Sequence, residues 1–161
     1  MDERVVRIKK MSDQLKGLPK YATSGSAGID LQACLFEPQV IPPGKTAKIP
    51  TGIAVQMPKK DMVGFVFARS GLAFRQGISL ANGVGVIDSD YTGEIGCLLH
   101  NHSEYPFTIE PGDRVAQLVF CSIHKVRFEV CEELADTDRG SGGFGSTGLS
   151  DHPGKNGTNN G

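Results

Sequence analysis

Glycine and proline are so frequent in this chain that they keep every regular element short. The sequence contains 21 Gly and 9 Pro among 161 residues. Glycine weakens the interior of a helix, and proline removes a backbone donor and breaks it. We therefore expect few helices, and we expect most of the regular structure to be short strands joined by many turns.

Apolar runs rich in β-type residues recur between these turn signals. Pro43-Gly44 and Pro111-Gly112 are turn dipeptides, and residues 89–93 form a polar turn. The pattern predicts strands at residues 4–9, 29–35, 46–49, 53–57, 64–68, 84–88, 94–99, 107–110, 114–123 and 126–130. Only residues 70–76 are compatible with a helix, with Ser70 as its candidate cap. This predicts an all-β fold, a sandwich or barrel of many short strands.

The charge of the chain is nearly balanced. It has 17 Lys and Arg against 18 Asp and Glu, a formal net charge of −1, and 39% apolar residues. This composition predicts one globular domain and argues against a nucleic-acid partner. Met1 is followed by Asp2, Glu3 and Arg4 rather than by the basic stretch and apolar run of a secretory signal. No window approaches the roughly 18 apolar residues that a membrane span needs. We expect a cytoplasmic protein with no membrane partner.

The four cysteines form no CxxC pair. Cys34, Cys97, Cys121 and Cys131 each lie in or beside an apolar run. Such cysteines are typical of reduced, buried side chains rather than of disulfides or zinc ligands.

The composition changes sharply at about residue 138. The segment after it holds 8 of the 21 glycines and two apolar side chains, Phe144 and Leu149. Such a segment cannot bury enough surface to offset its ordering entropy. We expect a folded body over residues 1–137 and a flexible tail over 138–161 that becomes ordered only against a partner or ligand.

Three motif matches fail on their context. Residues 140–145 match the glycine pattern of dinucleotide sites, but no strand precedes them closely and no helix can follow. Residues 88–99 imitate a calcium loop, but Leu99 stands where a Glu is required. His100 and His102 share one face of a strand without a third ligand at matching spacing, which favours solvated or core histidines over a metal pair.

Polar side chains interrupt or end three strands that are otherwise apolar. Asp30 lies inside AGIDL, where an unpaired charge would be costly, so it needs a cation nearby. The amide of Gln117 interrupts GDRVAQLVF and must find hydrogen-bond partners. Arg69, Ser70 and Gly71 end another strand with donors that suit an anionic oxygen cluster, although a simple helix cap is the alternative for Ser70.

Two further segments carry polar groups that a plain β protein does not need. Residues 83–93, GVGVIDSDYTG, are interpreted as a β-hairpin with Asp88, Asp90 and Tyr91 at its tip, and the alternative is an ordinary solvated turn. The tail segment RGSGGFGSTG offers one guanidinium, three hydroxyls and one aromatic ring. A flexible linker is the alternative there, but a linker does not need a lone Arg and Phe.

In combination, these segments indicate a β protein that binds a phosphorylated ligand with a planar ring. The chain also resembles the trimeric deoxyuridine triphosphate nucleotidohydrolase (dUTPase) family, on five motifs in order: AGIDL, RSGLA, GVIDSDYTGEI, GDRVAQLVF and RGSGGFGSTG. The resemblance covers about residues 20–148.

The resemblance implies a jelly-roll-like β body that assembles as a homotrimer with three sites at the subunit contacts. Each site would take AGIDL, RSG and the Gln117 strand from one chain, residues 82–91 from a second, and the tail from a third. The implied reaction converts dUTP and water to dUMP and pyrophosphate, with Mg²⁺ on the triphosphate.

The resemblance also implies a role for each matching residue. Asp88 would orient and deprotonate the water that attacks the α-phosphorus, Tyr91 would pack where a ribose 2′-OH would lie, and Asp30 would contact Mg²⁺ through water. The other implied substrate contacts are Asn82, Val86, Ile87 and Gly96 at the uracil, Arg69, Ser70, Gly71 and Gln117 at the phosphates, Phe144 stacked on the base, and Arg139, Gly145, Ser146 and Thr147 around the terminal phosphate.

Two alternatives remain beside this interpretation. A dCTP deaminase shares the fold but needs a differently placed catalytic Glu, and the intact IDSDY sequence argues against it. A non-catalytic regulatory trimer would be expected to lose Asp88 or the tail motif, and both are present.

Overall fold

The structure, a computed structural model, describes residues 4–143. Ten strands and one helix lie in this part of the chain, and every strand pair is antiparallel. In chain order they are β1 (Arg7–Lys10), β2 (Ile29–Gln32), β3 (Gln39–Ile41), β4 (Thr46–Gln56), β5 (Met62–Ala68), α1 (Ser70–Gln76), β6 (Ile78–Leu80), β7 (Gly85–Ile87), β8 (Glu94–Asn101), β9 (Phe107–Ile109) and β10 (Arg114–Ser122).

Two four-stranded sheets enclose one apolar core. Their strand orders are β1-β4-β8-β6 and β2-β10-β5-β7, and β3 pairs with β9 in a small third sheet. Alternate side chains of the strands face the core, including the fully buried Leu31, Ile49, Ile95 and Leu99. This arrangement confirms the predicted all-β, jelly-roll-like fold of short strands.

The two strands predicted at residues 46–49 and 53–57 are one strand, β4. Its register against β8 shifts between Pro50 and Ala54. Such a bulge bends a strand without ending it, so the sequence pattern is interrupted where the strand continues.

Hydrogen bonds from this bulge fix the beginning of β8. The buried hydroxyl of Thr51 donates to the carbonyl of Ile95 over 2.6 Å. The backbone N–H of Gly52 donates to Oε1 of Glu94 over 2.8 Å. The bulge therefore holds the residues that follow the polar segment 88–93.

The predicted hairpin over residues 83–93 is wrong. β7 pairs with β5 in one sheet, whereas β8 pairs with β4 and β6 in the other. Residues 88–93 therefore connect the two sheets. The strand signals on both sides were correct, but a turn sequence does not determine which neighbour each strand will pair with.

The strand predicted at residues 126–130 is also absent. This extended segment opens a second unit of the chain, which begins at Val126. The side chains of Val126, Phe128 and Val130 are 72%, 92% and 99% exposed. Its alternating pattern suits a strand, but a strand needs a neighbouring strand to bond with, and within residues 4–143 it pairs with none.

Smaller elements account for the other differences. The strands β3 and β6 are three residues long, too short to show a period in the sequence. The helix lies where predicted, but Arg69 is its N-cap and no side chain caps it, so Ser70 is its first residue and the predicted cap is wrong. No helix in the described part of the chain is long and apolar enough to cross a membrane.

The cysteine prediction holds for two residues of four. Cys34 and Cys97 are buried, Cys121 is half-buried and Cys131 is exposed, and all four are free thiols. Burial raises the pKa of the Cys97 thiol from 9.0 to about 12, so this group stays neutral.

Candidate active site

Residues from β7, the connection after it and β8 surround two adjoining cavities. We call Asn82, Val86, Ile87, Asp88, Tyr91 and Gly96 the Asp88 cluster. The larger cavity, about 330 Å³, is lined by Asp88 and Tyr91. The smaller, about 180 Å³, is lined by Asn82, and both are lined by Val86, Ile87 and Gly96. The structure thus brings together six of the residues predicted to form the site.

The position of Tyr91 is set by its neighbours in the connection. Its hydroxyl donates to the carbonyl of Glu94 over 2.9 Å, and its backbone N–H donates to the carbonyl of Asp88 over 3.1 Å. A Cβ added to Gly93 would lie 2.6 Å from the Tyr91 hydroxyl oxygen, so the ring needs a glycine there. The exposed Asp88 carboxylate makes no ion pair within residues 4–143. It is free to accept a hydrogen bond.

The backbone of β7 is open on one side. β7 is the last strand of its sheet, and in the described residues it pairs with β5 alone. An edge strand presents unpaired N–H and C=O groups. The smaller cavity therefore has a backbone edge that can bind a planar, hydrogen-bonding ring.

A second group of polar residues surrounds Asp30 on β2. We call Asp30, Arg69, Ser70, Gly71 and Gln117 the Asp30 cluster. Nε of Arg69 lies 3.0 Å from Oδ1 of Asp30, and Nη1 of Arg114 lies 3.2 Å from Oδ2. The prediction that Asp30 needs a cation is confirmed, and it has two. Sequence reasoning missed Arg114, which was read as part of a strand.

The Gln117 amide also finds the partner that its strand requires. Its Nε2 donates to the carbonyl of Ala68 over 3.0 Å, next to Arg69 in the chain. A Cβ on Gly28 would lie 2.7 Å from Oε1 of Gln117, so the AGIDL glycine leaves room for this amide. On β10, Gln117 lies opposite Asp30.

A cavity of about 590 Å³ opens beside Asp30. Lys16, Lys20 and Arg114 line it together with Asp30. The three cations outnumber the one carboxylate, so the cavity favours an anion.

The two clusters lie apart in a single chain. β2 and β7 are opposite edges of the same sheet, three strand spacings or about 14 Å apart. Ile87 of β7 lies opposite Gly64 of β5. Arg69 directly follows the end of β5, about 17 Å along the strand from Gly64. One copy of the chain therefore does not bring Asp88 to the Asp30 cluster.

The predicted tail contacts are described only in part. Arg139 is exposed in a turn of the second unit, where its carbonyl accepts from the N–H of Gly142 over 3.0 Å. Phe144, Gly145, Ser146 and Thr147 lie outside the described residues.

Comparison with known proteins decides which family this arrangement belongs to. The dUTPase family model matches residues 16–148. The chain belongs to the dUTPase family. The deoxyuridine 5'-triphosphate nucleotidohydrolase of Desulfitobacterium hafniense (strain DSM 10664 / DCB-2) is 52% identical over 147 residues, which cover 91% of this dUTPase and 96% of the relative.

Solved dUTPases share the fold. The Staphylococcus bacteriophage 80alpha dUTPase with dUpNHpp has a TM-score of 0.82 and 27% identity, over 90% of this chain and 99% of that one. The dUTPase of phage phi11 of S. aureus, in a variant described for its coordination of a structural Mg(II) ion, has a TM-score of 0.72 and 24% identity, over 80% and 97%. These matches confirm the family resemblance and do not favour a dCTP deaminase or a regulatory trimer.

Proposed function

We propose that this dUTPase hydrolyses dUTP to dUMP and pyrophosphate at sites shared between copies of the chain. One observation carries the proposal: Asp88, Tyr91 and the open edge of β7 surround two adjoining cavities, while the Asp30 cluster lies at the far edge of the sheet. The cavity beside that cluster is lined by Lys16, Lys20 and Arg114. The first group suits a nucleoside and an attacking water, and the second suits phosphates.

Asp88 acts as the general base. Hydrolysis of a phosphoanhydride needs an aligned water and charge neutralisation rather than covalent help from the protein. The exposed Asp88 carboxylate, in the same cavity as Tyr91, can accept a proton from the water that attacks the α-phosphorus.

The edge of β7 selects the base. Unpaired backbone groups near Val86 and Ile87, with the amide of Asn82 and the backbone of Gly96, can complement the O2, N3–H and O4 pattern of uracil. Cytosine presents a different pattern and would leave buried groups unpaired. Phe144 of the tail stacks on the base.

The ring of Tyr91 selects the sugar. Its hydroxyl is held by the carbonyl of Glu94, and Gly93 lets the ring lie close to the backbone. A ring held in this way excludes a ribose 2′-OH by contact and accepts deoxyribose.

The phosphates lie against the Asp30 cluster. Arg69, Ser70 and Gly71 follow the end of β5, and Gln117 lies within β10. These residues supply a guanidinium, a hydroxyl, a backbone N–H and an amide. Arg139, Gly145, Ser146 and Thr147 of the tail contact the terminal phosphate.

The side chains of the Asp30 cluster suit an Mg²⁺ ion that is held mainly by the phosphates of the substrate. In the described residues, no group of three or more His, Cys, Asp or Glu side chains could form a cage for a metal ion. Mg²⁺ keeps several waters and usually binds through one or two carboxylates and substrate phosphates. Asp30 would accept from a metal-bound water through its remaining lone pairs, and the bound ion would neutralise triphosphate charge.

A homotrimer joins the two clusters. Because they lie apart in one chain, a complete site takes the Asp30 cluster from one copy and the Asp88 cluster from another. The exposed apolar side chains of Val126, Phe128 and Val130 also suit contact with another copy. The tail, from a third copy, closes the site. A cytoplasmic location agrees with the charge balance and the free thiols.

Pyrophosphate release tests this function directly. We expect the chain with Mg²⁺ to release pyrophosphate from dUTP, and at least about 100-fold more slowly from dCTP, dTTP and UTP. Cytosine would leave polar groups unpaired, whereas the methyl group of thymine and the 2′-OH of UTP would be excluded by contact. Asp88→Asn should lower kcat by about 10²–10⁴ with little change in dUpNHpp affinity. Asp90→Asn, an exposed acid in the same connection, is the matched control and should retain the parent rate. An Asp88→Asn rate within tenfold of the parent would refute the role of this residue as the base.

A further inference from the structure

Arg114 contacts both charged members of the Asp30 cluster. Its Nη1 lies 3.2 Å from Oδ2 of Asp30, and its backbone carbonyl accepts from Nη1 of Arg69 over 2.9 Å. Nε of Arg69 lies 3.0 Å from Oδ1 of Asp30, so each of the three residues contacts the other two. Each oxygen of the carboxylate thus has its own guanidinium.

A bulge in β10 brings Arg114 to this face. Opposite β2, Gln117 pairs with Asp30 and Ala116 pairs with Leu31, but Arg114 then pairs with Gln32. Val115 is the extra residue. If the ladder continued without a bulge, Val115 would lie opposite Gln32, and Arg114 would lie opposite Ala33 on the same face as the buried Leu31.

Burial along β10 agrees with this register. Val115 and Ala116 are consecutive residues, yet both are buried, whereas a regular strand alternates. The bulge therefore buries an apolar side chain and turns the guanidinium of Arg114 toward Asp30. Bulges of this kind re-aim side chains beside functional sites.

The contacts also define which atoms remain available. Arg69 uses Nε and Nη1 on Asp30 and Arg114, and its Nη2 is left for an anion. Each oxygen of Asp30 contacts a different guanidinium, so the carboxylate cannot rotate toward one guanidinium without breaking its contact with the other. Its remaining lone pairs therefore have a fixed direction.

We propose that Arg114 is a positioning residue, which fixes Asp30 and Arg69 in the orientation that the Mg²⁺-bound triphosphate requires. The inference rests on the proposed dUTP hydrolysis. Arg114 acts through Asp30: its guanidinium sets the direction in which the carboxylate accepts from metal-bound water. Groups that orient a metal-binding carboxylate in this way typically change metal affinity or activity by about 10–100-fold when removed.

A double-mutant cycle tests the inference. Arg114→Gln should raise the Mg²⁺ concentration at which dUpNHpp binding is half-maximal, measured by calorimetry, and lower kcat/KM for dUTP, each by about 10–100-fold. In the Asp30→Asn background the same substitution should have less than about a twofold effect. The guanidinium of Arg114 then has no carboxylate to orient, and the backbone carbonyl that holds Arg69 is unchanged by the substitution. Arg114→Lys should recover part of the loss. Arg7→Gln, an exposed arginine of β1 in the other sheet, is the control and should change neither quantity.

Each result decides between the two proposals. Equal losses from Arg114→Gln with and without Asp30, or no shift in the Mg²⁺ requirement, would overturn the positioning role while dUTP hydrolysis by the unaltered chain stands. Failure of the unaltered chain to release pyrophosphate from dUTP would overturn the proposed function, and with it this inference. If thermal unfolding shows that Arg114→Gln does not fold, the same cycle with Arg114→Lys decides: a loss that disappears beside Asp30→Asn supports the role, and an additive loss refutes it.

Discussion

At the scale of single residues, Tyr91 carries the clearest test of selectivity. Its hydroxyl is fixed by Glu94 and its ring lies against Gly93. Replacing it with Ala should narrow the ratio of kcat/KM for dUTP to that for UTP by about tenfold or more, since losing one well-packed contact costs at least about 1.4 kcal/mol of discrimination. Tyr91→Phe keeps the ring and should keep most of the ratio. If Tyr91→Ala leaves the ratio unchanged, another group selects the sugar.

The thiol of Cys97 predicts how stability depends on alkaline pH. Burial raises its pKa from 9.0 to about 12, so the unfolded chain loses this proton at a lower pH than the folded chain. The contribution to stability is complete below pH 9.0 and is lost as the pH rises toward about 12. Cys97→Ala lacks the titrating group and serves as the reference.

Urea unfolding of both chains measures this effect. The stability advantage of the parent chain over Cys97→Ala should shrink by about 1.4 kcal/mol between pH 7.5 and pH 10. An advantage that stays constant over this range would mean that Cys97 does not titrate as its burial implies.

Residue patterns predicted the surroundings of Asp30 but not those of Ser70, Cys121 or Cys131. A carboxylate inside AGIDL implied a cation, and Arg69 and Arg114 are both in contact with it. That Arg114 is one of the two could not be predicted, because it depends on one extra residue in β10.

At the scale of elements, the β4 bulge anchors the connection that carries Asp88. Thr51→Val removes the buried hydrogen bond to the Ile95 carbonyl while keeping the shape of the side chain. It should lower the free energy of unfolding by about 1–3 kcal/mol. The control is Thr46→Val, whose hydroxyl bonds to His100 near the surface and whose loss should cost less than about 1 kcal/mol. Equal losses for the two variants in urea unfolding would contradict the role of the bulge.

Element type was predictable from the sequence, but pairing was not. Short apolar runs of β-type residues between turn signals identified β5, β8 and β10. Residues 83–93 looked like a hairpin, yet β7 and β8 lie in different sheets, since long-range packing determines which strands pair.

At the scale of the whole molecule, the described residues of the predicted site lie in two groups, and the sequence pattern could not show how far apart these groups are. The five motifs indicated one site, and the described chain separates Asp30 and Asp88 by three strand spacings. Distance across a sheet depends on strand order, which local patterns do not encode. The roles of residues 144–147 stay predictions.

Complementation between inactive chains tests most directly whether the site is shared between copies. One chain carries Asp88→Asn, and the other carries Asp30→Asn with Arg69→Gln, which removes the charges of an ion pair together. Each should be nearly inactive when refolded alone. In a closed homotrimer refolded from an equal mixture, a site is whole when its Asp30 donor is the first chain and its Asp88 donor is the second.

About a quarter of the parent activity should return on co-refolding, because each donor position holds the required chain in about half of the cases. Mixing the folded chains without unfolding is the control, and rescue there should be absent over the time of the assay. Light scattering checks whether the refolded mixture is trimeric. Activity that stays at the level of the separate variants in such a trimer would contradict a site shared between copies.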